Sequence, residues 1–106
     1  AKWAKAIQGG KYIFGQNIVI DKSENVIVVG SFNSSTIDFN NGITLSNNGE
    51  YDGFIAKYNS SGVCLWAKKI GGTKSDSVRN VKIDNNNNIY IVGDFSSDTL
   101  YFNNSI

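Results

Sequence analysis

The chain contains no histidine, no proline and no methionine, and its 106 residues include a single cysteine. Without histidine there can be no Ser-His-Asp triad, no Cys-His pair and none of the usual zinc sites, and one cysteine allows no internal disulfide. The lack of methionine marks a processed, excised or partial chain. An excess of one charge sign is also lacking. Ten basic and nine acidic side chains leave +1, so composition offers no electrostatic pull toward nucleic acid or an acidic membrane. No apolar run approaches the ~20 residues of a membrane-spanning helix, which speaks against membrane insertion. What is present is 41% hydrophobic and 12% aromatic residues, enough for the core of one small domain. With proline absent, turn formation falls to 11 glycines, 15 asparagines and the Asp and Ser residues around them. Thirteen isoleucines, and lysine outnumbering arginine nine to one, fit an AT-rich genome and say nothing about function.

The chain repeats itself. Trp3-Ala4-Lys5 returns as Trp66-Ala67-Lys68, and at that offset of 63 residues 3–43 align with 66–106 without a gap. Nineteen of those 41 positions are identical, among them Asn17/Asn80, Asp21/Asp84, Val29/Val92, Gly30/Gly93, Phe32/Phe95 and Phe39/Phe102. Self-similarity at a fixed period is the signature of repeat architectures. Within one period, apolar-rich and β-branched runs predict strand a over 16–21, b over 25–32, c over 53–58 and d over 63–70, with no helical periodicity. Asp21 or Asp84 introduces the a–b turn, and Asn59-Ser60-Ser61-Gly62 makes the c–d turn. In the second repeat, 79–84 and 89–95 are strands a and b.

A four-stranded antiparallel unit repeated in tandem is a propeller blade: one such sheet cannot bury both faces, and stacking blades does so. The fold class is therefore all-β, four-stranded antiparallel blades of a β-propeller. Residues 1–8 read as the outer strand d of a preceding blade, 9–70 as a complete blade and 71–106 as the first half of the next. That is about one and two thirds blades, where roughly four to eight close a ring. The chain is then either a piece of a longer polypeptide or associates with copies. A second blade without strand c would leave an unpaired position in a self-assembled ring, which favours the piece.

The Trp-Ala-Lys-x-Ile-x-Gly start resembles the bacterial β-propeller repeat known as the SBBP repeat. So do the Asn-[Ile/Val]-x-Ile-Asp strand, the Asn-x-[Ile/Tyr]-x-Val-Gly-x-Phe strand and the segment Asp52-Gly53-Phe54-Ile55-Ala56-Lys57-Tyr58. The resemblance implies a propeller in secreted or surface-attached bacterial proteins, with no reaction and no catalytic residues. Two departures are the apolar Tyr12-Ile13-Phe14 stretch, where small polar residues are usual, and Asn87, where Gly often ends the a–b turn.

In an up-and-down sheet alternate turns share a rim. The short a–b and c–d turns lie on one face, and the long d–a loops (9–15, 72–78) and b–c loop (33–52) on the other. Long loops on a rigid scaffold are the usual place for binding. Tyr12, Ile13 and Phe14 align with Ser75, Asp76 and Ser77, a change that blade packing would not tolerate. The candidate binding residues on the long-loop face are accordingly Tyr12, Phe14, Asn47, Asn48 and Tyr51. The competing reading makes the Tyr12 and Phe14 cluster a latch between blades. Phe39 and Phe102 read as plugs between blades, and Phe32/Phe95 and Val29/Val92 as residues buried there. Asp21-x-Ser23-x-Asn25 and Asp84-x-Asn86-x-Asn88 echo the start of a calcium loop, but each has one carboxylate and no Gly-then-Glu completion, so an Asp-capped turn is the better reading. Cys64 reads as a buried small hydrophobe. Asp38 and Asp52 flank one loop, yet Asp38 aligns with Tyr101, which removes a repeat-borne catalytic carboxylate. Asn-x-Ser sequons at Asn33, Asn59 and Asn103 are no more than so Asn- and Ser-rich a chain supplies by chance. The expectation is a non-catalytic propeller segment without cofactor or metal, engaged in protein–protein interaction or surface architecture. Its partners are other blades and a protein ligand, or alternatively a glycan held by loop aromatics and Asn.

Overall fold

The computed structural model describes residues 7–9, 12–47 and 50–97, with the backbone of 101–102. Among these there is no helix. The strands are β1 (Gln8–Gly9), β2 (Ile13–Ile20), β3 (Val26–Phe32), β4 (Thr36–Asp38), β5 (Thr44–Ser46), β6 (Asp52–Tyr58), β7 (Cys64–Gly71), β8 (Asp76–Ile83), β9 (Ile89–Phe95) and β10 (Tyr101–Phe102). β2, β3, β6 and β7 form an antiparallel meander in chain order, the expected a-b-c-d blade, and β8–β9 begin the next sheet.

The two repeats share their irregularities as well as their strands. β2 carries a bulge between Gly15 and Asn17 against β3, and β8 carries one between Val78 and Asn80 against β9. Beside each bulge lies a glycine, Gly30 or Gly93, whose Cβ would overlap the carbonyl oxygen of Phe14 or of Ser77. A bulged strand leans into its partner there, and only glycine leaves room.

The tight turns are one design used three times. Asp21 Oδ1 accepts the backbone N–H groups of Ser23 (2.8 Å) and Asn25 (2.9 Å). Asp84 Oδ1 does the same for Asn86 and Asn88, and Asn59 Oδ1 for Ser61 and Val63. Each turn places its fourth residue in the left-handed region: Glu24 at φ 65°, Asn87 at 63° and Gly62 at 85°. Asn and Gly adopt that conformation readily, whereas Glu24 is strained.

The blade has an apolar layer on both faces. On one, Ile27, Val29, Ile55 and Ile70 pack with Val78 and Val81 of the next sheet, all of them buried, with Trp66 half-buried at the margin. On the other, Phe32, Phe54, Ala56, Tyr58 and Cys64 are covered by Ile37, Phe39 and Leu45. Phe54 meets both Phe39 and Phe32 edge-on, at ring-centroid distances of 5.4 and 6.3 Å.

Several expectations need correction. The segments read as d–a loops are partly strand: Ile13–Gly15 and Asp76–Val78 extend β2 and β8, because the bulge lets the ladder continue past the point where apolar alternation breaks. The b–c loop contains a hairpin, β4–β5, which folds back over the blade. β1 pairs with β4 at Gln8–Asp38, and β7 pairs with β10 at the equivalent Gly71–Tyr101. In both repeats, then, a strand that follows strand b, β4 or β10, pairs with the segment that precedes strand a, which for β10 is the end of β7. Trp3 and the rest of 1–6 lie outside the described residues, as do the side chains of Tyr101 and Phe102. Val92 and Phe95 are 62% and 39% exposed, unlike Val29 and Phe32 at 0%; they lie on opposite faces of β9, and among the described residues neither has the cover that the next sheet gives Val29 and the β4–β5 hairpin gives Phe32.

Replacing Glu24 by Gly should raise stability by about 0.5–1 kcal/mol, the relief of a left-handed residue less the entropy gained by the unfolded chain. Chemical denaturation of the two proteins checks this.

Acid sensitivity follows from the same turns. Burial pushes the Asp21 carboxyl up, but hydrogen bonds from Asn25 and Ser23 together with Lys57 outweigh it and the net is a lowered pKa. At Asp84 the bonds from Asn88 lead, with those from Asn86 and Tyr90, and bring it to about 2. Both groups have a folded pKa below the unfolded value of about 3.9. Their contribution is present above about pH 4 and is lost as pH falls toward pH 2. Asp84→Asn keeps the acceptor, as Asn59 does naturally, but cannot titrate. Thermal melts across the acid range should show a shallower loss of stability for this variant than for the parent.

Candidate functional site: a cleft between two repeats

The two ends of the blade differ. The tight turns at 21–25 and 59–62 close one end, while the longer connections gather at the other. Phe14 and Ile20 stand at opposite ends of β2, about 20 Å apart at ~3.3 Å per residue. Tyr51 precedes Asp52, which pairs with Phe32, and so lies at the Phe14 end.

Tyr12, Phe14 and Tyr51 meet there. The Tyr12 and Phe14 rings stack at 6.3 Å with planes 8° apart, and the Tyr51 ring lies 6.0 Å from Phe14 at 37°. Tyr12 is 62% and Phe14 46% exposed, so neither is sealed between sheets as a latch. Beside these rings opens a cleft of about 300 Å³. Phe14, Gln16 and Ser31 line it from the first repeat, and Ser77, Arg79 and Asp94 from the second. These are the same three positions, 63 residues apart. The first wall carries the Phe14 ring where the second carries the Ser77 hydroxyl, because the repeats diverge there.

The second wall is held in place. Asp76 N–H donates to Tyr51 O (2.7 Å), and Ser75 Oγ donates to Glu50 Oε1 (2.8 Å), tying the b–c connection to the second repeat. Asp76 itself is buried and accepts from the Gly72, Ser96 and Ser97 N–H groups and from Ser97 Oγ (2.6 Å). Its carboxylate pins two connections together. Arg79 Nε donates to the Asp94 carboxylate along this wall, both side chains being exposed. An exposed pair of this kind adds little stability.

The other proposed residues lie elsewhere. Asn47 donates its N–H to Ser35 O and its Nδ2 to Glu50 O, engagements within its own connection. Asn48 lies outside the described residues. Among the described residues no cluster of three or more His, Cys, Asp or Glu is placed to hold a metal, and the Asp21 and Asp84 carboxylates serve as turn caps. Cys64 is buried; burial pushes its thiol up, and its Sγ–H points at Trp66 O. Sequence reasoning missed Gln16, Ser31, Arg79 and Asp94. A signal existed, since both pairs of aligned positions differ between repeats, but a bulge cannot be seen in a strand-length apolar pattern.

No known family profile and no solved structure matches the chain. Over 110 aligned residues it is 34% identical to an uncharacterized WD repeat-containing protein of Acanthamoeba polyphaga mimivirus. The alignment takes in 99% of this chain and 8% of that protein, so the chain spans a small part of the relative it matches. The likeness agrees with the propeller-like repeat that the blade and the β8–β9 sheet build, and does not single out the bacterial repeat that the motifs resemble.

Phe14→Ala should change stability by no more than about 0.5 kcal/mol, as exposed substitutions do. Phe54→Ala, at a fully buried ring, should cost about 3–5 kcal/mol. Urea denaturation of both variants measures the contrast. A large loss for Phe14→Ala would restore the latch reading.

Proposed function

We propose that this chain is a non-catalytic segment of a propeller-like repeat protein, and that a protein partner docks across the cleft between its two repeats. The observation that carries this reading is the convergence of divergent positions. At 12/75, 14/77, 16/79 and 31/94 the repeats disagree, and the side chains of these pairs gather at or beside one exposed opening. Clustered aromatics with an arginine at the margin match the composition of protein-binding hot spots. The WD-repeat relative supports a repeat module of this kind. Because that relative is viral, the bacterial, secreted or surface setting implied by the motifs forms no part of the proposal.

A second reading, glycan binding, is favoured by the near-parallel Tyr12 and Phe14 rings beside serine hydroxyls. It ranks lower because the Asp76 carboxylate, a fixed polar group lining the cleft, is engaged internally, and the Asn47 amide is engaged within its own connection away from it.

Selection of the chain against a displayed peptide library, in parallel with a glycan array, separates the two. Peptides should be retained, and Phe14→Ala or Tyr51→Ala should weaken them by roughly tenfold or more while Glu24→Gln leaves them unchanged. Retention of glycans alone, lost on the same substitutions, would transfer the site to the second reading. Binding indifferent to both aromatic substitutions would remove the cleft from either.

A further inference from the structure

Tyr12, Phe14 and Tyr51 form a run of rings at the junction of the two repeats, with Tyr12 62% and Phe14 46% exposed. The face of an aromatic ring carries partial negative charge, so exposed rings in a row attract a cation as well as an apolar group. The charged groups around them lean the same way. Asp76 and Asp94 line the cleft and Glu50 stands at its edge, against one lining cation, Arg79. Arg79 is already bonded to Asp94, and Lys74 on the neighbouring connection does not line the cleft. Glu50 is the best placed of the three carboxylates. Its Oε1 accepts from Ser75 Oγ at 2.8 Å, and Ser75 is itself a lining residue. The next residue, Tyr51, is fixed by the bond from Asp76 N–H to its carbonyl oxygen. A single step along the chain therefore joins a ring of the cluster to an anchored carboxylate. Ser75 takes one of the roughly four lone-pair sites on that carboxylate, which leaves acceptor capacity for a ligand.

We infer that the cleft takes an arginine side chain of the protein partner, its guanidinium laid on the rings of Phe14 and Tyr51 and its N–H groups donating to the Glu50 carboxylate. This rests on the docking reading above and adds the chemistry of the residue that enters. Arginine suits the site better than lysine. A planar, weakly hydrated guanidinium can stack on a ring while its fork of donors reaches a carboxylate, whereas an ammonium is a compact and strongly hydrated point charge. An acidic side chain would meet ring faces and the Glu50 carboxylate, and the one lining cation is already paired. The difference between the repeats supplies both halves of the site. At one aligned position the first repeat gives the Tyr12 ring, and the second gives Ser75, the hydroxyl that holds Glu50. Two like repeats would provide rings or hydroxyls there, and this junction has both.

Four pools of capped peptides test this on the whole 106-residue chain. All share the same randomised flanks, and the central residue is arginine, its neutral isostere citrulline, lysine or glutamate. Fluorescence polarisation reads the binding. The arginine pool should bind about tenfold or more tightly than the citrulline pool, a factor within reach of one charge-assisted contact. Added salt should narrow that gap. Glu50→Gln keeps an acceptor for Ser75 but removes the charge, and it should bring the arginine pool down to about the level of the citrulline pool. A melting temperature equal to that of the parent confirms that the variant folds. Equal binding of the arginine and citrulline pools, or a lead for lysine or glutamate, would overturn the inference and leave the docking reading standing. An arginine preference that survives Glu50→Gln would overturn it as well. If no pool binds, the docking reading falls and the inference falls with it.

Discussion

Ile27, Val29, Ile55 and Ile70 close against Val78 and Val81, and the remainder of the structure depends on that face-to-face contact. A fully buried aliphatic side chain contributes roughly 1.5–3 kcal/mol. A four-stranded sheet apolar on both sides must have both of them covered. The next repeat covers one side and the chain's own β4–β5 hairpin covers much of the other. The hairpin has a second task, since β4 pairs with the end of β1 just as β10 pairs with the end of β7. Adjacent repeats are thus joined twice, by side chains across the sheets and by backbone at their edges.

The division of labour among positions follows from this. Bulge, glycine and asparagine recur at Gly15–Asn17, Gly30 and Asn17 and again 63 residues later, because each repeat has to present the same surfaces to its neighbours. Where the chain faces solvent at the connection end, that constraint lapses. Tyr12 and Phe14 then stand opposite Ser75 and Ser77 in the alignment and share one cleft in space. A repeat protein can in this way alter what it binds without altering how it stacks.

How much was legible beforehand depends on the range of the interaction concerned. Asp21, Asp84 and Asn59 each bond to N–H groups two and four residues on, a short-range pattern that residue identity announces. The meander order follows from short turns between strands. The cleft was legible in part: Tyr12, Phe14 and Tyr51 are drawn together, whereas Asn47 is engaged by its own connection. Arg79 and Asp94 went unseen because their meeting depends on the ladder between β8 and β9.

By itself, the sequence determined the repeat, the strands, the turns and their antiparallel order, all of which rest on local periodicity and on the backbone preferences of Asp, Asn and Gly. The tertiary structure decided which positions are buried. Val29 and Val92 are the same residue in the same local pattern, yet one is sealed and the other open. It also decided that the long b–c connection becomes a hairpin and that the strands run on past the bulges into the segments read as loops. Burial and ladder pairing are set by what stands across from a residue, and that neighbour lies tens of residues away in the chain.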